Sequence, residues 1–159
     1  MYKKAIINSK SFNDIFELVK KLVEKETGMR RVGLTLLLQD MPGYVGAYHA
    51  IGSNYIVLNR RILNMVKSLA KNDEEYNSYL FVVIMHEYLH SLGLTDEIRV
   101  RRLTYKICDS IFGNEHITSK IATDPLSIYP EIRNLTGMGF GKEFHIIKDF
   151  DNSNMTYIG

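Results

Sequence analysis

The sequence predicts a mixed α/β (α+β) fold in which a small twisted mixed sheet packs on helices. Three observations carry that expectation. Residues 31–58 alternate between β-rich runs and turn residues, as a strand followed by a hairpin does. Stretches with apolar residues at helical spacing lie on either side. The run Leu80 to Met85 (LFVVIM) is apolar on every side, and a helix of that kind needs cover on both faces, from the sheet and from something beyond it.

The first helix is expected from Ser11 to Thr27, where Phe12, Ile15, Phe16, Val19, Leu22 and Val23 repeat on one face. Ser11 opens it, with Asp14 three residues on as a variant of the capping box, and Gly28 stops it. Arg31 to Leu38 reads as a strand, Met41-Pro42-Gly43 as a turn, and Tyr44 to Ile51 with Tyr55 to Leu58 as a hairpin around Gly52-Ser53-Asn54. A second helix covers Ile62 to Ala70. Asn72-Asp73 can then cap a longer one from Glu74 to Leu92, ended by Gly93. Thr95 can cap a third long helix to Phe112, closed by Gly113, and a shorter helical stretch precedes Asp124-Pro125, making the lower part mostly helical. Beyond Pro130 glycines gather and periodicity fades, so residues 131–159 read as an irregular extension behind a catalytic domain of residues 1–130.

Length and composition limit the function classes. A chain of 159 residues fits one domain, and 45% hydrophobic with 24% charged residues allows an ordinary core rather than wholesale disorder. A net charge of +2 is too balanced to imply nucleic acid or an anionic membrane. The longest apolar run is far short of the roughly 18 residues of a spanning helix. Cys108, the single cysteine, cannot form an internal disulfide, and MYKKAIINSKSFND has no apolar run of signal-peptide length, so a reducing, cytoplasmic setting is expected.

Chemistry concentrates in His86-Glu87-Tyr88-Leu89-His90-Ser91-Leu92-Gly93-Leu94-Thr95-Asp96-Glu97. On a helix, residues four apart share a face, so the imidazoles of His86 and His90 can bind one Zn²⁺ while Glu87, one step round, reaches a water at that metal. A catalytic zinc needs a third protein ligand. Gly93 can turn the chain back, and Asp96, ten residues after His86, is placed to supply it.

These residues resemble the zincin metallopeptidases and, by spacing, the metzincin branch with its pattern H-E-x-x-H-x-x-G-x-x-H/D, read here as HEYLHSLGLTD. The resemblance implies a zincin-like fold, zinc held by His86, His90 and Asp96, Glu87 as general base, and an edge strand that binds a peptide or protein substrate in extended form. It also implies a methionine turn, for which Ser153-Asn154-Met155-Thr156-Tyr157 has the wording. The gluzincin branch draws its third ligand from a later helix, and there Glu97 leads Asp109, Glu115 and His116 as the substitute for Asp96.

Other readings compete. Acidic residues in the first turn of a helix are favoured without any metal, which is the plain account of Asp96 and Glu97. His49, His116 and His145 read as structural or solvated, the Arg99, Arg101, Arg102 and Lys106 run as a solvated helix face, and Cys108 as core. A family of small metal-dependent endoribonucleases acting on ribosomal RNA has the spacing H-x-x-x-H-x-x-G-x-x-H, but it lacks a glutamate at the position of Glu87 and ends in histidine where this chain has Asp96. Arg60-Arg61 and the later basic run could then contact phosphates. A third reading makes the protein a latent zincin, with Asp149, Asp151 or the terminal carboxylate lying on the metal.

Overall fold

The structure is a computed structural model that describes residues 2–41, 45–135 and 145–147. It opens with a helix that the apolar spacing does not predict, α1 (Tyr2–Asn8). Seven residues are too few to hold a helix in water, so tertiary contacts must hold this one. Ile6 is fully buried, and the side-chain amide of buried Asn77, far along the chain, donates to the carbonyls of Ile6 (2.8 Å) and Ser9 (3.0 Å). Next comes α2 (Phe12–Thr27), bounded as the sequence predicts: Ser11 Oγ accepts from Asp14 N–H at 3.1 Å, and Gly28 ends the helix at φ 76°. Of its predicted face, Ile15, Phe16, Val19, Leu22 and Val23 are fully buried and Phe12 is half-buried.

The sheet contains β1 (Thr35–Gln39), β2 (Ala47–Tyr48), β3 (Tyr55–Asn59) and β4 (His145–Ile147), in the order β2-β3-β1-β4. The expected hairpin pairs Ala47 with Leu58 and Tyr48 with Val57, while β1 runs parallel to β3. β2 is much shorter than the predicted run of residues 44–51; ahead of it, the Asn59 side chain donates to Met41 O and Val45 O and accepts from Arg61 N–H, tying the incoming chain to the start of the next helix. β4 extends the far edge of the sheet, antiparallel to β1. Residues 145–147 are thus part of the sheet rather than of an irregular extension, a long-range pairing that no local periodicity announces. Beyond residue 130, Ile132 is buried in the same core as Tyr129. Met155, Asp149, Asp151 and the chain terminus lie outside the described residues.

After β3 the chain enters α3 (Arg60–Leu69), then α4 (Asp73–Ser91), capped by Asn72 through a 2.9 Å bond to Glu75 N–H. As its composition predicts, α4 is covered on several sides, by α2, by β2 and β3, and by α5 (Glu97–Phe112) and α6 (Ile117–Thr123). Phe81, Ile84, Met85, Tyr88 and Leu89 have no accessible surface. Each such side chain contributes about 1.5–3 kcal/mol of burial, which makes α4 the axis of the core. A short α7 (Pro125–Ile128) and a 3-10 helix (Pro130–Leu135) close the described lower part. Among the described residues no helix is long and apolar enough to cross a membrane.

Candidate metal centre

The last two turns of α4 set one side of the site. His86 and His90 stand one turn apart with ring centroids separated by 5.0 Å. Gly93, at φ 102°, ends the helix by donating its N–H to His90 O at 3.0 Å and reverses the chain. The reversal brings the Leu94 carbonyl to 2.7 Å from His90 Nδ1. That acceptor holds the ring proton on Nδ1 and leaves the Nε2 lone pair for a metal, the usual second contact of a ligating histidine.

The turn then starts α5, and its first residue closes the site. Glu97 Oε1 lies 2.9 Å from His86 Nε2 and 2.8 Å from His90 Nε2. Asp96, the preferred third ligand by spacing, is elsewhere: its Oδ1 accepts the N–H groups of Ile98 (3.0 Å) and Arg99 (3.4 Å) as the N-cap of α5. The helix begins one residue later than a Thr95 cap would have it, and the capping role consumes the aspartate. Glu97, on the longer side chain and inside the first turn, reaches both imidazoles instead. His86, His90 and Glu97 form the one group of three metal-competent side chains among the described residues, with donor atoms within 4.8 Å of one another. Two imidazoles and a carboxylate are an ordinary donor set for zinc, so the residues present fit the ion.

The other substitutes do not approach. His116 caps α6 and lies 3.2 Å from Glu74, Glu115 is exposed beside Lys120, and the exposed Asp109 sits near the end of α5. The Arg99 to Lys106 run is solvated as expected, except that Arg101 Nη2 reaches Glu97 Oε2 at 3.5 Å. Cys108 is buried as expected, and burial pushes its thiol up to about 12.

Electrostatics favour a cation at this point. Burial lowers the pKa of His86 against the opposing pull of Glu97, which favours the neutral ring. Burial pushes Glu97 upward, but its hydrogen bonds and charge interactions with His86 and His90 prevail and hold its carboxyl below the usual range. Glu87 is only 7% exposed and does not join the three donors. Burial pushes its pKa up to about 7, partly offset by His90 and by a hydrogen bond from the backbone of His49.

Three further residues belong to the site without having announced themselves in the sequence. Arg31 donates to Ser91 O (2.7 Å) and Ser53 O (2.8 Å), clamping the C-terminal end of α4 to the hairpin turn, and its N–H donates to Tyr88 Oη at 2.8 Å. His49, expected to be merely structural, lines the same cleft as Glu87 and is held by Nδ1 at 2.9 Å from Tyr55 O. Tyr79 lines that cleft two turns before His86 on α4. The cleft has a volume of about 970 Å³, and residues 45–49 on and around the edge strand β2 form one of its walls. Comparison with family models, characterised proteins and solved structures finds no match for the chain.

Proposed function

We propose that this protein is a zinc-dependent peptidase of the gluzincin-like kind within the zincins, with His86, His90 and Glu97 as metal ligands and Glu87 as general base. The observation that carries the reading is the convergence of two Nε2 atoms and one carboxylate oxygen on a single point beside a buried glutamate. A zinc ion held there supplies Lewis acidity to a carbonyl oxygen and to water. Glu87, kept off the donor cluster by its position on α4, takes a proton from the attacking water and returns it to the leaving amine. Its burial suits that role, since a carboxylate pushed toward neutral pH both accepts and gives up a proton readily. Among the described strands β2 lies at the edge of the sheet, on the wall of the cleft, and its outer side can pair with an extended peptide backbone.

The ribonuclease alternative loses support from the same geometry, because the third donor is a carboxylate at the start of α5 and a glutamate stands where that family has none. The test is cleavage of a peptide library and of structured RNA by metal-replete protein, each with and without chelator. Chelator-sensitive cleavage of peptides alone supports the reading. Cleavage of RNA alone, or of peptides at an undiminished rate by Glu87→Gln, would overturn it.

A further inference from the structure

The outward half of α5 carries charge that the fold does not use. One turn after Glu97, Arg101 lines the cleft, with Glu97 Oε2 at 3.5 Å as its ion-pair partner. Arg99, Arg102 and Lys106 are exposed, and among the described residues their side chains meet no carboxylate at ion-pair distance. The acids that precede them are engaged elsewhere: Asp96 Oδ1 caps α5, and Glu97 Oε1 lies on the two imidazoles.

Val100, Thr104, Ile107 and Cys108 are buried and so define the inward half of the helix. At about 100° per residue, the outward half then runs from Arg101 at the cleft, across Ile98 and Tyr105, to Arg102, Lys106 and Arg99. Ile98, inside this band, is 62% exposed, and Tyr105 is half-buried. From Arg99 to Lys106 the band is about 10 Å long, the reach of about three residues of extended chain.

A basic helix face is usually just solvated. Two features set this one apart: it continues into the cleft through Arg101, and an aliphatic side chain stands exposed among the cations. Arginine and tyrosine around an apolar residue are what protein interfaces favour. Exposed Asp109, and Glu26, which accepts from Ser110 Oγ at 3.2 Å, mark the far end of the band. They leave it too short for the long cationic track that follows a nucleic-acid backbone.

We propose that the outward face of α5 receives an acidic segment of the substrate protein, with carboxylates on either side of an apolar residue, while the adjoining stretch of that chain lies in the cleft. Opposite charge draws the substrate to the cleft mouth and fixes its direction across it. The proposal rests on the peptidase reading and deepens it by naming the substrate class.

The test is a binding measurement on the full chain loaded with zinc, followed by fluorescence anisotropy at low and at high salt. The probes are a short labelled peptide of glutamates around one leucine, its glutamine and lysine counterparts, and a short single-stranded RNA. At low salt the glutamate peptide is expected to bind about tenfold more tightly than the glutamine peptide, what a few exposed ion pairs contribute together, and to lose that advantage at high salt. The combined variant Arg99→Gln, Arg102→Gln, Lys106→Gln should abolish the preference. Removing the same charge from other exposed positions, Lys10→Gln, Lys67→Gln, Lys71→Gln, should preserve it. Equal binding of the glutamate and glutamine peptides, or a preference that the α5 variant keeps, overturns the docking surface. RNA bound more tightly than the glutamate peptide, and released by the α5 variant, overturns the acidic protein as its occupant. A chain that cleaves library peptides without any acidic preference loses this proposal and keeps the peptidase reading. A chain with the preference that cleaves no peptide loses the peptidase reading, and the substrate assignment falls with it.

Discussion

Two histidine clusters in this molecule look alike in composition and differ in what they leave open. At His116, every polar atom of the ring is satisfied by the protein: Nδ1 meets the N–H and Oγ1 of Thr118 at 3.1 and 2.9 Å, and Nε2 lies 3.2 Å from Glu74 Oε2. The ring also stacks on Phe112 with centroids 4.8 Å apart. This histidine caps a helix and ties α6 to α4. At His86 and His90 two Nε2 atoms share one carboxylate oxygen, and the Nδ1 of His90 is turned away by the Leu94 carbonyl. A histidine next to a carboxylate is therefore not a metal site by itself. Convergence of several donor atoms on one accessible point is what separates the second cluster from the first.

The contrast is broken most sharply at the buried glutamate. Glu87→Gln should lower turnover of a peptide substrate by about 10²- to 10⁴-fold, the range for loss of a general base, while the zinc content stays at the wild-type level. Steady-state rates with metal analysis of the same preparation check it, and full activity in this variant would remove the base. The companion change at the other cluster, His116→Ala, should leave zinc content and turnover unaffected and cost stability instead. Loss of a helix cap is worth about 1 kcal/mol, which in a chain of this size lowers the melting temperature by about 2–4 °C. A loss of bound zinc in His116→Ala would erase the distinction drawn between the clusters.

Much of this organisation is legible in the sequence, and the gaps have physical causes. Ser11, Gly28, Asn72, Gly93 and Gly113 act locally, through caps and left-handed turns, and so the ends of α2, α4 and α5 can be read to within about two residues. The hairpin is legible for the same reason. α1 is not, because its stability comes from Asn77 seventy residues away, and β4 is not, because its partner is β1. The third donor falls between these cases. Spacing brings a carboxylate back to the two imidazoles, but whether Asp96 or Glu97 arrives depends on which of them caps α5, a matter of one residue in the start of a helix. Arg31, His49 and Tyr79 carry no signal in the sequence, since each is defined by elements that meet only in the folded chain.

That one-residue ambiguity gives a smaller test. Asp96→Ala should cost about 1 kcal/mol through the lost cap and leave zinc affinity within a few-fold of wild type, as followed by thermal denaturation and by competition with a chelating dye. The smallest effect expected is at Cys108. With its thiol buried and its pKa raised to about 12, it should resist alkylation at pH 8 in the native protein and react at the rate of a free cysteine once unfolded, as followed by mass spectrometry.

Metal content per chain, measured by elemental analysis on wild type, Glu97→Ala and Asp96→Ala after identical zinc loading and desalting, bears on all of this most directly. One zinc in wild type and in Asp96→Ala, with none in Glu97→Ala, is the predicted result. A wild-type chain without stoichiometric zinc, or a Glu97→Ala chain that keeps it while Asp96→Ala loses it, would contradict the assignment of His86, His90 and Glu97 as the metal-binding residues.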